Sequence, residues 1–241
     1  SIDTYNSIGF DDLTVKINDR RILNAIVLNA GFEVAQLNTV CVSLDKIDKI
    51  SLNGVMMELI EKGFDIAKIN TLIDSLNDVL ENGIDATIKY GAPQNIIDDV
   101  KYLISSLRAM VKPTVKILFD ISIVRGQGYY TGTVFEYYTN GFSGAIGGGG
   151  RYDTMIGKIT GQDVPAVGGS IGFEPVTMLI KERGLTFDMK QNLALIYDAD
   201  DDIVEVYNTK KDLTEKYNVS LFMRPKNMKN FYEKVVEVAD V

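Results

Sequence analysis

Residues 123–152 read IVRGQGYYTGTVFEYYTNGFSGAIGGGGRY, and the fold turns on how this stretch is parsed. Arg125 closes an apolar run, and Tyr129 and Tyr130 follow as a pair. Residues 131–139 (TGTVFEYYT) are rich in the β-branched and aromatic residues that favour strands. Residues 142–146 suggest a further short strand. Gly147, Gly148, Gly149 and Gly150 then open directly onto Arg151, Tyr152 and Asp153. Cationic, aromatic and bare-backbone groups this close together are what a pocket for a small, partly anionic ligand requires.

Immediately upstream, Val115, Ile117, Phe119, Ile121 and Ile123 alternate with other residues, which predicts one long strand after Pro113. Before that, apolar residues recur at i, i+3, i+4 spacing from Ile66 to Leu80 and from Ile96 to Val111, and a short helix is expected over 54–62. Residues 51–112 therefore read as a helical insert. The first fifty residues supply a strand (13–18, LTVKIN), a helix (20–30) and a mixed-charge run at 45–49 that reads as a solvated face with local ion pairs. Downstream of the glycines, a helix from about residue 152, a strand over 166–171 and a helix over 173–183 complete an α+β unit with a mainly antiparallel sheet. Composition shifts after Phe187. Strands over 192–197 and 219–223, with helices over 203–217 and 227–238, predict the start of an α/β domain with parallel strands. The expected division is 1–50 and 113–186 as one unit, 51–112 as an insertion and 187–241 as a partial second domain.

Composition narrows the chemistry. The chain of 241 residues has no histidine, which excludes Ser-His-Asp and Cys-His catalysis, histidine proton shuttles and histidine-ligated metals. One cysteine, Cys41, excludes an internal disulfide and a cysteine-based zinc cage, and its apolar neighbours make it a core filler. A formal charge of −8 argues against broad nucleic-acid binding. No apolar run is long enough for a membrane helix. A reducing, cytoplasmic setting fits.

The candidate site residues each carry two readings. The glycine run is either a flexible hairpin or bulge, or a place where a ligand approaches bare backbone. Arg125, at the end of an apolar run, needs either a structural carboxylate or an anionic ligand group. Tyr137 and Tyr138 read as sheet packing. Gly126, Gly128 and Gly132 lack the spacing of a kinase glycine loop, and neither a P-loop nor a dinucleotide fingerprint is present.

Taken together, these motifs resemble those of histidyl-tRNA synthetases. IVRGQGYYTGTVFE resembles that family's histidine-binding signature, AIGGGGRYD its second signature, and PAVGGSIGFEP motif 3 of class II synthetases. INDRRIL and LDKIDKI also match, so the resemblance spans about residues 7–186. It implies a class II fold, an antiparallel sheet flanked by helices, in which histidine and ATP with Mg2+ form histidyl-adenylate before transfer to tRNA. No tightly bound cofactor is implied. Arg125 matches the arginine that contacts the histidine carboxylate and the α-phosphate. Tyr129, Tyr130 and Tyr152 match residues of the histidine pocket, Gly148, Gly149 and Gly150 its wall, and Gly172, Phe173 and Glu174 the ATP-binding motif 3. The family is homodimeric, and residues 187–241 resemble the start of its anticodon-binding domain.

Three departures accompany the match. Gly128 stands where the signature has aspartate, Pro175 stands where motif 3 has the arginine that clamps the triphosphate, and motifs 1 and 2 are expected before residue 1. The expectation is a synthetase fragment that is inactive alone. The alternative is a non-catalytic relative, the synthetase-like regulatory subunit of ATP phosphoribosyltransferase acting as a histidine sensor. A generic structural module would leave the Arg-Tyr-Gly cluster without a purpose.

Overall fold

The computed structural model describes residues 1–126, 128–162, 164–185, 190–226 and 228–240. Gln127 of the first signature, the expected boundary at 186–187 and the expected helix start at Asn227 lie outside them. The chain divides into two units, Ser1–Leu185 and Thr186–Val241. Among the described residues, no helix is long and apolar enough to cross a membrane.

The first unit begins with α1 (Ile2–Ser7), β1 (Thr14–Asp19) and α2 (Arg20–Asn29). Asp19 ends the strand and starts the helix in one step, its carboxylate accepting from the Arg21 N–H at 2.9 Å. Helices α3 (Leu37–Leu44), α4 (Ile47–Glu61), α5 (Ile66–Asn82) and α6 (Gln94–Met110) follow. The expected short helix starts earlier than its sequence suggested, because the 45–49 run supplies a first turn. Ser51, at φ 62° and ψ 171°, then kinks α4 behind it. Asp65 caps α5 through the N–H of Ala67, and Gly83 stops it at φ +76°.

The sheet is completed by β2 (Lys116–Phe119), β3 (Thr133–Tyr138), β4 (Gly147–Arg151) and β5 (Val167–Ile171), with α7 (Asp153–Thr160) between the last two and α8 (Phe173–Glu182) after them. Its order is β2-β1-β3-β4-β5. Only the β1–β2 pair is parallel, so the mainly antiparallel expectation holds. Val15, Ile17, Phe135 and Tyr137 lie on one face, toward Leu103 and Leu107 of α6. Lys16, Asn18, Val134 and Glu136 lie on the other, where β4 and β5 present mostly glycine.

Two strand expectations differ from the structure. The long strand over 115–123 ends at Phe119, because the Asp120 carboxylate turns the chain by accepting from the Ser122 N–H (3.0 Å) and hydroxyl (2.6 Å). Ile121 and Ile123 remain 1% exposed outside any strand, so the alternation reports burial rather than strand. The expected strand at 142–146 is instead a bend, and the glycine run itself is β4, paired on both sides. A hairpin or bulge reading of those glycines is thereby replaced.

In the second unit, β6 (Asn192–Tyr197), α9 (Ile203–Leu213), β7 (Asn218–Met223) and α10 (Phe231–Val236) follow in order. The two strands pair in parallel, Asn192 opposite Asn218.

Glu58 of α4 ties that helix to the end of α3 and to its own C-terminal cap. Its carboxylate accepts from Ser43 (3.1 Å), Lys46 (2.8 Å) and Lys62 (2.7 Å). Lys46 and Lys62 bonded to it hold its pKa down from 4.5 to about 2. Because the folded value is the lower one, the stabilisation is present above 4.5 and is lost as pH falls toward 2. Glu58→Gln is expected to cost about 1 kcal/mol at pH 7, an exposed-network magnitude. The gap between the two proteins should close between pH 4.5 and 2, as checked by urea denaturation across that range.

Candidate functional site

Residues 120–126 leave the sheet but stay pinned to it. The Asn18 side-chain amide donates to the carbonyls of Ile121 (3.1 Å) and Ile123 (2.9 Å), and Arg20 donates to that of Val124 (2.9 Å). Asn18 is fully buried and Arg20 is 6% exposed, so these bonds satisfy groups that would otherwise be costly. The segment they fix ends with Arg125 at φ +51°, a left-handed conformation a non-glycine residue adopts only when its surroundings compel it. Arg125 is therefore placed by a pinned loop rather than by a strand end.

Its guanidinium donates through Nη1 to Glu136 of β3 at 2.9 Å and lies 5.9 Å from the Tyr130 ring centre. Burial works against its charge, but neighbouring Tyr130 and Glu136 carry the net pKa upward. Among the described residues, Arg125 Nε is buried with no hydrogen-bond partner. Tyr129 packs against Tyr130 with ring centres 4.5 Å apart and planes tilted by 47°, and meets Tyr152 edge-on at 6.0 Å. Its hydroxyl donates to that of Tyr130 at 3.3 Å, and this bond, with burial, raises its pKa. A tyrosine held that way is a hydrogen-bonding group, not a base.

The glycines explain why these side chains can lie flat on the sheet. A Cβ on Gly148 would sit 2.5 Å from Arg125 Nη1, and one on Gly150 would sit 2.7 Å from the Tyr130 ring. A Cβ on Gly168 would collide with the Tyr152 hydroxyl. Arg125, Tyr130 and Tyr152 thus each rest where a neighbouring strand has no side chain. Together Arg125, Tyr129, Tyr130, Tyr152, Gly148 and Ser170 line most of a cleft of about 300 Å³, with Met155, Gly168 and Gly169. That volume is at the low end of the ~300–1,000 Å³ range of small-molecule sites. One guanidinium, phenolic and serine hydroxyls and open backbone suit a small polar ligand with an anionic group.

The structure thus brings together Arg125, Tyr129, Tyr130, Gly148 and Tyr152 as cleft-lining residues. Gly150 lies beneath Tyr130. By strand alternation, Gly149 turns to the Phe135 face, and a Cβ there would collide with Gly168 O of β5. Gly172 caps α8, Phe173 and Glu174 begin it, and none of the three lines the cleft; Phe173 is 79% exposed. Pro175, in the first turn of α8, sits where a helix leaves N–H groups unpaired, so it leaves the helix intact. Among the described residues, no cluster of three acidic or sulfur ligands could hold a metal. The contributions of Asn18, Arg20, Glu136, Gly168 and Ser170 were not visible in sequence. The run Asn18-Asp19-Arg20, polar at the end of an apolar strand, was the available signal for the pins.

A Cβ on Gly148 or Gly150 would also press on a backbone carbonyl, Phe135 O or Thr133 O, whereas one on Gly168 meets mainly the Tyr152 side chain. Gly148→Ala and Gly150→Ala are each expected to cost about 1–3 kcal/mol, and Gly168→Ala less, because Tyr152 can swing aside. Urea denaturation of the three variants checks that order.

Comparison with known proteins gives the relatives of the chain. The family model described as "Histidyl-tRNA synthetase" matches residues 1–176. The histidine–tRNA ligase of Leifsonia xyli is 38% identical over 188 residues, 74% of this chain and 43% of the relative. The chain spans less than half the length of the first curated relatives it matches. A crystal structure of histidyl-tRNA synthetase from a Nostoc species superimposes with a TM-score of 0.64 at 21% identity, over 97% of this chain and 58% of that one. A structure titled ATP phosphoribosyltransferase regulatory subunit/histidyl-tRNA synthetase, from Bacillus halodurans, gives 0.59 at 17% identity, over 97% and 60%. At these identities the two structures speak for the fold.

Proposed function

This chain belongs to the histidyl-tRNA synthetase family, and from that premise we propose that it carries the histidine-binding part of a histidine–tRNA ligase. The carrying observation is the cleft in which Arg125 and three tyrosines converge over Gly148 and Gly168. In this reading Arg125 takes the amino-acid carboxylate and then the phosphate charge that develops as ATP reacts with it. A fixed guanidinium does that work without proton transfer. Tyr129, Tyr130 and Tyr152 orient the imidazole through their hydroxyls and rings, and Gly148 to Gly150 form the wall. ATP with Mg2+, tRNA and a second copy of the protein are partners of the whole enzyme in this reading, and the setting is the cytoplasm. Residues 51–112 would be the helical insertion and residues 187–241 the beginning of an anticodon-binding-like domain.

Pro175 limits what this chain does alone. A proline offers the triphosphate neither charge nor donor, and a charged hydrogen bond of that kind contributes about 1.5–3 kcal/mol. The 241-residue chain is expected to give no histidine-dependent ATP–pyrophosphate exchange, and detectable exchange by the purified chain would overturn that expectation. Pro175 also favours a second reading, a histidine-sensing regulatory subunit. Histidine binding with neither ATP nor tRNA binding would select it.

Titration calorimetry tests the site itself. L-Histidine is expected to bind, and histidinol, which lacks the carboxylate, to bind at least tenfold more weakly, the loss of one charged contact. Equal affinity for the two would remove Arg125 from the carboxylate role.

A further inference from the structure

We infer that Glu136, locked by the hydroxyl of Tyr138, is the positioning residue that holds Arg125 ready for the ligand carboxylate; the inference rests on the histidine-binding reading of the cleft. Across the sheet, Glu136 lies between Lys16 of β1 and Gly148 of β4 on the cleft face. Lys16 is its nearest cation by register, yet Lys16 is drawn off by Asp120 at 2.8 Å and sits 4.8 Å over the Tyr138 ring. Glu136 is thereby left for Arg125. Both of its oxygens have donors: Oε1 accepts from Arg125 Nη1 at 2.9 Å, and Oε2 from the Tyr138 hydroxyl at 2.7 Å.

Tyr138 has one proton and two carboxylates within reach, Glu136 and, at 3.2 Å, Asp48 of α4. The shorter contact goes to Glu136. Burial and then the Glu136 carboxylate raise the Tyr138 pKa, so the phenol stays protonated and remains a donor. Tyr138, expected from sequence to be sheet packing, also donates to Glu136 and so supports the carboxylate that faces the cleft.

The need for such a device follows from the rest of the site. Arg125 rests on a glycine, so no side chain on β4 beneath it defines its rotamer, and its Nε has no partner among the described residues. A guanidinium is useful at a reacting centre only when its fork is fixed beforehand, because ordering it later costs rotamer entropy. Arg125 and Glu136 are 22% and 17% exposed, dry enough that removing one charge leaves the other uncompensated.

The test combines NMR of the arginine side chains with L-histidine titration of the full 241-residue chain. The Arg125 signals are identified by their loss in Arg125→Lys. Arg108, held on the Ile117 carbonyl by two hydrogen bonds, is the internal control for general loosening. In the wild-type chain the Arg125 Nη signals should be separately resolved. Glu136→Gln should average them and weaken histidine about tenfold or more. Tyr138→Phe should do the same to a smaller degree, and it serves as the second variant if Glu136→Gln does not fold. Arg108 should be unmoved in both. Resolved Arg125 signals and histidine affinity within twofold of wild type in Glu136→Gln would overturn the inference. So would averaging of Arg108 together with Arg125. A wild-type chain that binds no histidine counts against the histidine reading, while the NMR arm still decides whether Glu136 holds Arg125.

Discussion

The contact on which the site depends is between side chains and the places where β4 and β5 have none. Arg125 lies over Gly148, Tyr130 over Gly150 and Tyr152 over Gly168, while on the opposite face Gly147 leaves room for the Tyr5 hydroxyl. That hydroxyl donates to Ile146 O at 2.7 Å, and burial pushes its pKa to about 12. Consecutive glycines weaken an isolated strand by about 0.5–1 kcal/mol each. Here the strand is flanked on both edges, and the rings and guanidinium laid across it replace the packing that its own side chains would have given. The thin side of the sheet and the cleft are the same feature.

The second constraint is the loop that brings Arg125 to that surface. A residue at φ +51° is not held there by its own preference. Asn18 and Arg20 hold it by taking the carbonyls of Ile121, Ile123 and Val124, and both come from the junction of β1 with α2. The sharp turn from strand to helix at Asp19 therefore sets the position of a charge more than a hundred residues later in sequence. The same junction is tied to β3 through Thr133, whose hydroxyl donates to Asp19 at 3.1 Å.

Sequence made the α+β class, the antiparallel sheet and the amphipathic helices legible, because each has its own hydrophobic period. It also singled out Arg125, Tyr129, Tyr130 and Tyr152, whose chemistry is conspicuous among glycines. It misjudged residues 120–124, since Ile121 and Ile123 are as buried in an irregular segment as they would be in a strand. It could not assign the glycine run, because a strand without side chains has no pattern to read. Glu136 and Tyr138 were hidden for another reason. Alternation along β3 places them on one face, but only the register with β1 and β4 shows which cation each can reach.

The position of β1 has a consequence for how the molecule comes together. Its partners on either side are residues 116–119 and 133–138, and everything between is helix or loop. During synthesis, the helices α2 to α6 emerge and can bury their apolar faces on one another while β1 still lacks both neighbours. Non-local pairings of this kind close late and slowly. Until they do, β1 waits with both edges open and Val15 and Ile17 without their cross-strand neighbours. The cleft, which straddles the latest strands, can exist only after that closure, so ligand binding would report completed folding of this unit rather than an early, partly assembled state.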